Sequence, residues 1–148
     1  MSLTTPALGQ THAPNGIEVL VADDIPTNVF ILTTMLRSLG YSTLSAADGL
    51  EAVKIATQRL PALIFMDVQM PCMDGITAAR QIRGAMSDRR TAIVAVTAFP
   101  EVRHVPGFAA AEFDDFIVKP VELSVVRQTV EKWLREASAP VVAATAHT

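Results

Sequence analysis

The sequence predicts an α/β fold, a parallel sheet covered by helices on both faces. Three observations carry that reading. Short apolar runs alternate with helical patterns five times between residues 17 and 137. The runs are nearly continuous in apolar residues, as strands buried on both faces must be. Pro26, Gly40 and Pro61 stand where helices should begin or end.

The elements follow in order. Residues 17–22 are mostly apolar and read as the first strand. Residues 26–39 read as a helix, with Val29, Leu32, Leu36 and Leu39 on one face at 3-4-3 spacing. Pro26 suits its first turn and Gly40 the position just past its end. Residues 41–46 form the second strand and 48–59 the second helix, closed by Pro61. Residues 62–67 are a third strand, nearly all apolar, and 74–84 a third helix. Residues 91–97 make the fourth strand. A weaker fourth helix spans 101–111, where Pro106-Gly107 should shorten, kink or melt it. Residues 114–118 form the fifth strand. Residues 122–137 form the fifth helix, with Leu123, Val126, Val130 and Trp133 on one face. The crossovers should be right-handed. One domain is expected over 16–137. Residues 1–15, rich in Thr, Pro and Ala, read as a flexible leader, and 138–148 as a flexible tail or linker.

Bulk chemistry narrows the function. Of 148 residues half are hydrophobic, enough for a sizeable core, and the formal charge is −3. No basic stripe is present, and Arg89-Arg90 reads as a solvated turn, so nucleic-acid binding is not expected. Cys72 is the single cysteine, which precludes an intrachain disulfide and suits a reducing compartment. His12, His104 and His147 are scattered without metal-ligand spacing. No apolar run reaches membrane-spanning length and no secretory signal is visible, so the cytoplasm is expected.

In an open parallel sheet, ligands bind beyond the carboxyl ends of the strands. The first strand ends in Asp23-Asp24, the third in Asp67, the fourth in Thr97 and the fifth in Lys119-Pro120. An Asp-Asp pair alone is commonly a helix cap, a lone strand-end Asp is commonly loop chemistry, and a lone Lys-Pro carries nothing. Their joint occurrence at one edge points to a site. Three close carboxylates repel one another, and a hard divalent cation such as Mg2+ relieves that. Lys119 adds a second positive charge, and the Thr97 hydroxyl can donate to a phosphoryl oxygen. Such parts position and polarise a phosphoryl group for in-line transfer. Asp67, on the central strand, is the candidate acceptor, because a carboxylate can form an aspartyl phosphate.

Two other chemistries fit poorly. A haloacid-dehalogenase-type phosphatase places a second Asp two residues after the nucleophile, where this chain has Gln69. A dinucleotide-binding domain needs a Gly-rich turn after the first strand, where this chain has Asp23-Asp24.

The stretches Val-Ala-Asp-Asp (21–24), Met-Asp-Val-Gln-Met-Pro-Cys-Met-Asp-Gly (66–75), Val-Thr-Ala (96–98) and Asp-Asp-Phe-Ile-Val-Lys-Pro (114–120) resemble the receiver domain of two-component response regulators. The resemblance runs from about Ile17 to Ala137. Asn28 and the loop after Asp67 look most like receivers of hybrid sensor histidine kinases or their relay partners. The resemblance implies a flavodoxin-like (βα)5 three-layer sandwich with sheet order 2-1-3-4-5. It implies that Asp67 accepts phosphate from a histidine on a sensor kinase or histidine phosphotransfer protein. It implies Mg2+ on Asp23, Asp24, Asp67 and the backbone carbonyl of Gln69, with Thr97 and Lys119 on the phosphoryl oxygens. Phe116 falls at the switch aromatic, which would turn as Thr97 moves and pass the signal to a downstream protein or attached output domain. The domain would then be a phosphoacceptor and not an enzyme in its own right. The alternative is a degenerate receiver that binds protein without phosphorylation.

Three positions depart from the family pattern. Glu112 stands where a glycine commonly ends the fourth helix, so a different cap is expected there. Phe99 is bulky at a position that tunes phosphoryl lifetime. Phe116 lacks a tyrosine hydroxyl.

Overall fold

The computed structural model describes residues 17–86 and 91–138. The expected leader, Arg89-Arg90 and residues 139–148 of the expected tail lie outside the described residues.

The five apolar runs form five strands: β1 (Glu18–Ala22), β2 (Ser42–Ala46), β3 (Leu63–Asp67), β4 (Ala92–Thr97) and β5 (Asp115–Val118). All pairings are parallel, in the order 2-1-3-4-5, as the resemblance implies. Every residue of β3 and β4 is buried, which explains their unbroken apolar character.

The helices cover the two faces unequally. On one face lie α1 (Pro26–Ser38) and α5 (Leu123–Ser138). Their Leu32, Leu36, Val126, Val130 and Leu134 pack on Val19, Val21, Phe65 and Val94 of the sheet. The expected stripe on α5 needs one correction. Leu123 is 38% exposed, while Leu134, one helical turn beyond Val130, is 1% exposed and completes the stripe. The other face carries α2 (Gly49–Arg59) and α3 (Gly75–Ala85). Their sheet-facing residues are mainly alanines, and Ala52, Ala56, Ala78 and Ala79 are fully buried. Small side chains let both helices lie close to the sheet and to each other.

The fourth helical segment differs most from a regular helix. Pro106-Gly107 divides it into a 3-10 turn (Pro100–His104) and a four-residue α4 (Phe108–Ala111). Proline removes an amide donor, and Gly107 takes φ +94°, outside helical space. Glu112 does not bring a different cap. It adopts the left-handed conformation a glycine would take, at φ +56°.

What holds that unfavourable backbone is a clasp from α3. The Arg83 guanidinium donates to the Thr91 carbonyl (2.8 Å), the Glu112 carbonyl (2.8 Å) and the Asp114 carboxylate (2.6 Å). The same Asp114 oxygen accepts the Ile93 amide at 2.8 Å. One side chain thus ties α3, the start of β4 and the turn into β5. Arg83→Met keeps the apolar stem but strands a shielded carboxylate and two carbonyls. It is expected to cost about 2–4 kcal/mol, read by urea denaturation; a loss under about 0.5 kcal/mol would leave the clasp without energetic weight.

Candidate functional site

The ladder registers decide which strand-end groups meet. Val21 pairs with Phe65 and Ala22 with Met66, so Asp23 and Asp67 come next in the same row. Asp67 is level with Val96 on β4, and Val96 with Ile117 on β5. Lys119 lies two residues past Ile117 and so projects on the same side. Its ammonium stands 3.0 Å from Asp23 Oδ2 and 3.3 Å from Asp67 Oδ2. Its own amide donates to the Thr97 carbonyl at 2.8 Å. Asp23, Asp24 and Asp67 each offer an oxygen within 4.8 Å of the others, with Asp24 exposed and the other two buried.

The remaining lone pairs have local donors. Asp23 Oδ1 accepts the Ile25 amide at 2.9 Å, and Asp67 Oδ1 accepts the Gln69 amide at 3.2 Å. Thr97 is 1% exposed, and its Oγ1 accepts the Phe99 amide at 3.1 Å. That bond uses an oxygen lone pair and leaves the hydroxyl proton free to donate. Beside the acids a cleft of about 360 Å3 opens between α1 and the segment that follows β5, lined by Asp23, Asn28, Leu32, Val96, Lys119 and Val121.

Two Asp-Gly pairs shape the loop after Asp67. Asp48 and Asp74 cap α2 and α3, accepting the amides of Glu51 and Thr77 at 2.8 Å each. The glycine after each cap presses on that loop. Gly49 N–H donates to the Met73 carbonyl at 3.1 Å, and Gly75 N–H to the Val68 carbonyl at 2.8 Å. A Cβ on Gly75 would lie 2.1 Å from the Asp67 carbonyl oxygen, and one on Gly49 equally close to the Met73 carbonyl oxygen. Only glycine fits either place. Gly49 was not singled out in the sequence, though the repeated Asp-Gly at two helix starts is a readable signal.

Electrostatics single out Asp67. Burial pushes its pKa from 3.8 up to about 6, and the Asp23 charge pushes the same way. The Lys119 charge and the Gln69 amide offset only part of this. Burial pushes the Lys119 ammonium down. Its hydrogen bond to Asp23 and the two carboxylate charges outweigh that and hold it above the ordinary lysine value. The donor set suits a small hard cation: all three groups are carboxylates, and the buried pair is short of positive charge.

The other expected residues fall around this centre. Thr97 and Phe116 share a face of the sheet, because Ala95 pairs with Phe116 and Thr97 lies two residues on from Ala95. Phe99 is half exposed beside Thr97. Cys72 is exposed in the loop after Asp67, with φ +68°. Among the described residues no helix is long and apolar enough to cross a membrane.

Fold and site together define a signalling-type α/β domain with an acidic pocket and a lysine at the carboxyl edge of its sheet. The chain belongs to the response regulator receiver domain family, whose profile matches residues 19–131. It is 34% identical over 129 residues to the sensor protein GacS of Pseudomonas syringae pv. syringae, covering 85% of this chain and 14% of that protein. The chain thus spans about a seventh of that relative's length. Among solved structures it resembles the receiver domain of sensor histidine kinase PA1611 from Pseudomonas aeruginosa PAO1, which has a magnesium ion in its active-site cleft. That likeness has TM-score 0.74 and 33% identity, over 80% of this chain and 98% of the other. It also resembles a chain in the Saccharomyces cerevisiae complex of the phosphotransfer protein Ypd1 with the receiver domain of Ssk1. There the TM-score is 0.75 and the identity 32%, over 83% and 92% of the two chains. The chain is therefore a receiver domain of two-component signal transduction, with the flavodoxin-like fold.

Two tests follow from this geometry. Gly75→Ala drives a Cβ into the Asp67 main chain. It is expected to cost about 1–3 kcal/mol of stability; unfolding that matches the parent would contradict the contact. The second concerns pH. The folded chain holds the Asp67 proton more tightly than the unfolded chain, so the charged form opposes folding. That cost is absent below pH 3.8, grows as pH rises, and is complete above about 6. Asp67→Asn removes it. In EDTA at pH 8 the variant is expected to be more stable by about 1–3 kcal/mol, and the gap should close near pH 4. A variant less stable than the parent at pH 8 would overturn this electrostatic account.

Proposed function

We propose that Asp67 is the phosphoryl acceptor and that Asp23, Asp24, Asp67 and the Gln69 carbonyl hold Mg2+. The observation that carries this is the convergence of Asp23, Asp67 and Lys119 on one point at the sheet edge. When bound, the ion supplies positive charge that offsets the acids and the incoming phosphoryl oxygens.

The chain's own residues do the rest. The register holds the Asp67 carboxylate against Lys119 and beside Asp23, two residues that line the cleft, and in this reading the phosphohistidine approaches from that side. An Asp67 oxygen attacks phosphorus; the P–O bond forms as the P–N bond to imidazole breaks, and the imidazole nitrogen keeps the electron pair and takes a proton. Lys119 shifts from pairing acids to pairing the transferred phosphoryl group. Thr97 donates its hydroxyl proton to a phosphoryl oxygen. Its movement is felt by Phe116 on the same face, which makes the pair the switch.

The phosphoryl source in this reading is a sensor histidine kinase or a histidine phosphotransfer protein, in the cytoplasm where such phosphohistidines arise from ATP. The likeness to GacS supports a place as the receiver of a hybrid sensor kinase. The output is a downstream protein or an attached domain, without nucleic-acid binding or membrane insertion by this domain. We place the domain at residues 16–137. It acts as a phosphoacceptor and not as a free-standing enzyme. Nothing favours the binding-only alternative, since all the required side chains stand at one edge.

Incubation with Mg2+ and acetyl phosphate should add one phosphoryl group by intact mass, and Asp67→Asn should gain none. Lys119→Ala should keep Mg2+ binding by calorimetry while slowing phosphoryl uptake by about 100-fold or more. An unmodified parent, or a modified Asp67→Asn chain, would sink the mechanism.

A further inference from the structure

The divided fourth segment places two groups on Phe116. From the 3-10 turn, the Arg103 guanidinium lies over the Phe116 ring, 4.9 Å from its centroid. From α4, the Phe108 ring meets Phe116 edge-on at 5.9 Å and 71°, and packs on Phe113 at 4.9 Å with the rings tilted by 36°. Arg103 has little else to do. Its Nε–H donates a long 3.4 Å bond to the Pro100 carbonyl, and among the described residues no carboxylate pairs with it.

We propose that Arg103 is a positioning residue of the phosphoryl switch, a latch that holds Phe116 in the conformer described here. The proposal rests on the reading of Thr97 and Phe116 as the switch. A phenylalanine has no hydroxyl to anchor it. Ring packing and the cation over its face are what hold it where it stands. Turning the ring away abandons the guanidinium, so the contact favours the conformer described here, which the proposal takes as the resting one. At a partly exposed site a cation–π contact is worth a shift of about two- to fivefold in that equilibrium. Removing it should let a phosphoryl group, or its mimic, bind that much more tightly, since the ligand no longer works against the latch.

The test titrates the full chain with beryllofluoride at saturating Mg2+. Trp133 is the chain's one tryptophan, and its indole N–H donates to Asp115, the neighbour of Phe116, at 2.8 Å. Its fluorescence provides the readout. Arg103→Ala and Arg103→Met should bind beryllofluoride about two- to fivefold more tightly than the parent, while Arg103→Lys, which keeps a cation, stays near it. Mg2+ affinity without beryllofluoride should not change. In a Phe116→Ala background, or Phe116→Leu if the first folds poorly, the Arg103 substitutions should have no effect. Unchanged or weaker binding in Arg103→Ala, or an effect that survives loss of the ring, overturns the latch. A parent chain that binds no beryllofluoride with Mg2+ overturns the phosphoacceptor reading itself, a separate and recognisable result.

Discussion

Asp23 and Asp67 cannot move apart. The parallel pairing of β1 with β3 puts the two carboxylates abreast at the end of a fully bonded ladder. Separating them would break main-chain hydrogen bonds between two buried strands. The surrounding structure answers this repulsion. Lys119 reaches over from β5 to contact both, and the amides of Ile25 and Gln69 take a lone pair from each. These answers are incomplete, which is why Asp67 holds a proton up to about pH 6. The unmet negative charge is what gives a divalent cation somewhere favourable to go. Stability is given up at the edge of the sheet so that binding can recover it.

Rigid support makes that arrangement possible. Asp67 ends a strand buried along its whole length, and its main chain is hemmed in by Gly75. The loop beyond is pinned at Met73 by the first amide of α2. In its proposed role as acceptor Asp67 must stay put while its partner comes and goes, and here both sides of the chain around it are fixed. Thr97, by contrast, ends a strand that leads directly into the 3-10 turn and the short α4. The Asp67 side of the site is held by strand and loop together, while the Thr97 side runs into short helical pieces.

The sequence reveals these two halves unequally. Strand ends were legible because all five strands are parallel, so chain direction alone assigns their carboxyl ends to one edge. Asp23, Asp67, Thr97 and Lys119 could be gathered there from spacing. Most helix and strand limits also follow local pattern and agree within a residue. Leu123 misled because apolar spacing at a helix start does not say which face the helix presents. Leu134 continues the stripe of Val126 and Val130 and is the residue buried. Glu112 misled because the left-handed cap is imposed from elsewhere, with Arg83 bonding its carbonyl from α3. Arg103 over Phe116 and Arg83 at Asp114 join segments 13 and 31 residues apart through the path of a loop. No local periodicity encodes such a path.

The broken fourth segment is best understood through what replaces a helix there. Four residues cannot sustain an α-helix, since nucleation costs more than one turn returns. The segment holds its place through its side chains: Val102 and Ala111 are buried, and the Phe108 ring packs on Phe113 and Phe116. The Phe108 ring leads to β5 and to the turn before it, while Ala111 packs among the residues of α3 and Val102 on Val68 and Ala95. A regular helix would keep its backbone bonds whatever Phe116 did. This segment is split into two short pieces, and both touch Phe116, one through Arg103 and one through Phe108. Pro106-Gly107 therefore does not disconnect the fourth segment from the site. It exchanges a stiff element for one that touches, through Arg103 and Phe108, the ring that shares a sheet face with Thr97, and under the proposed switch those contacts are the route of coupling.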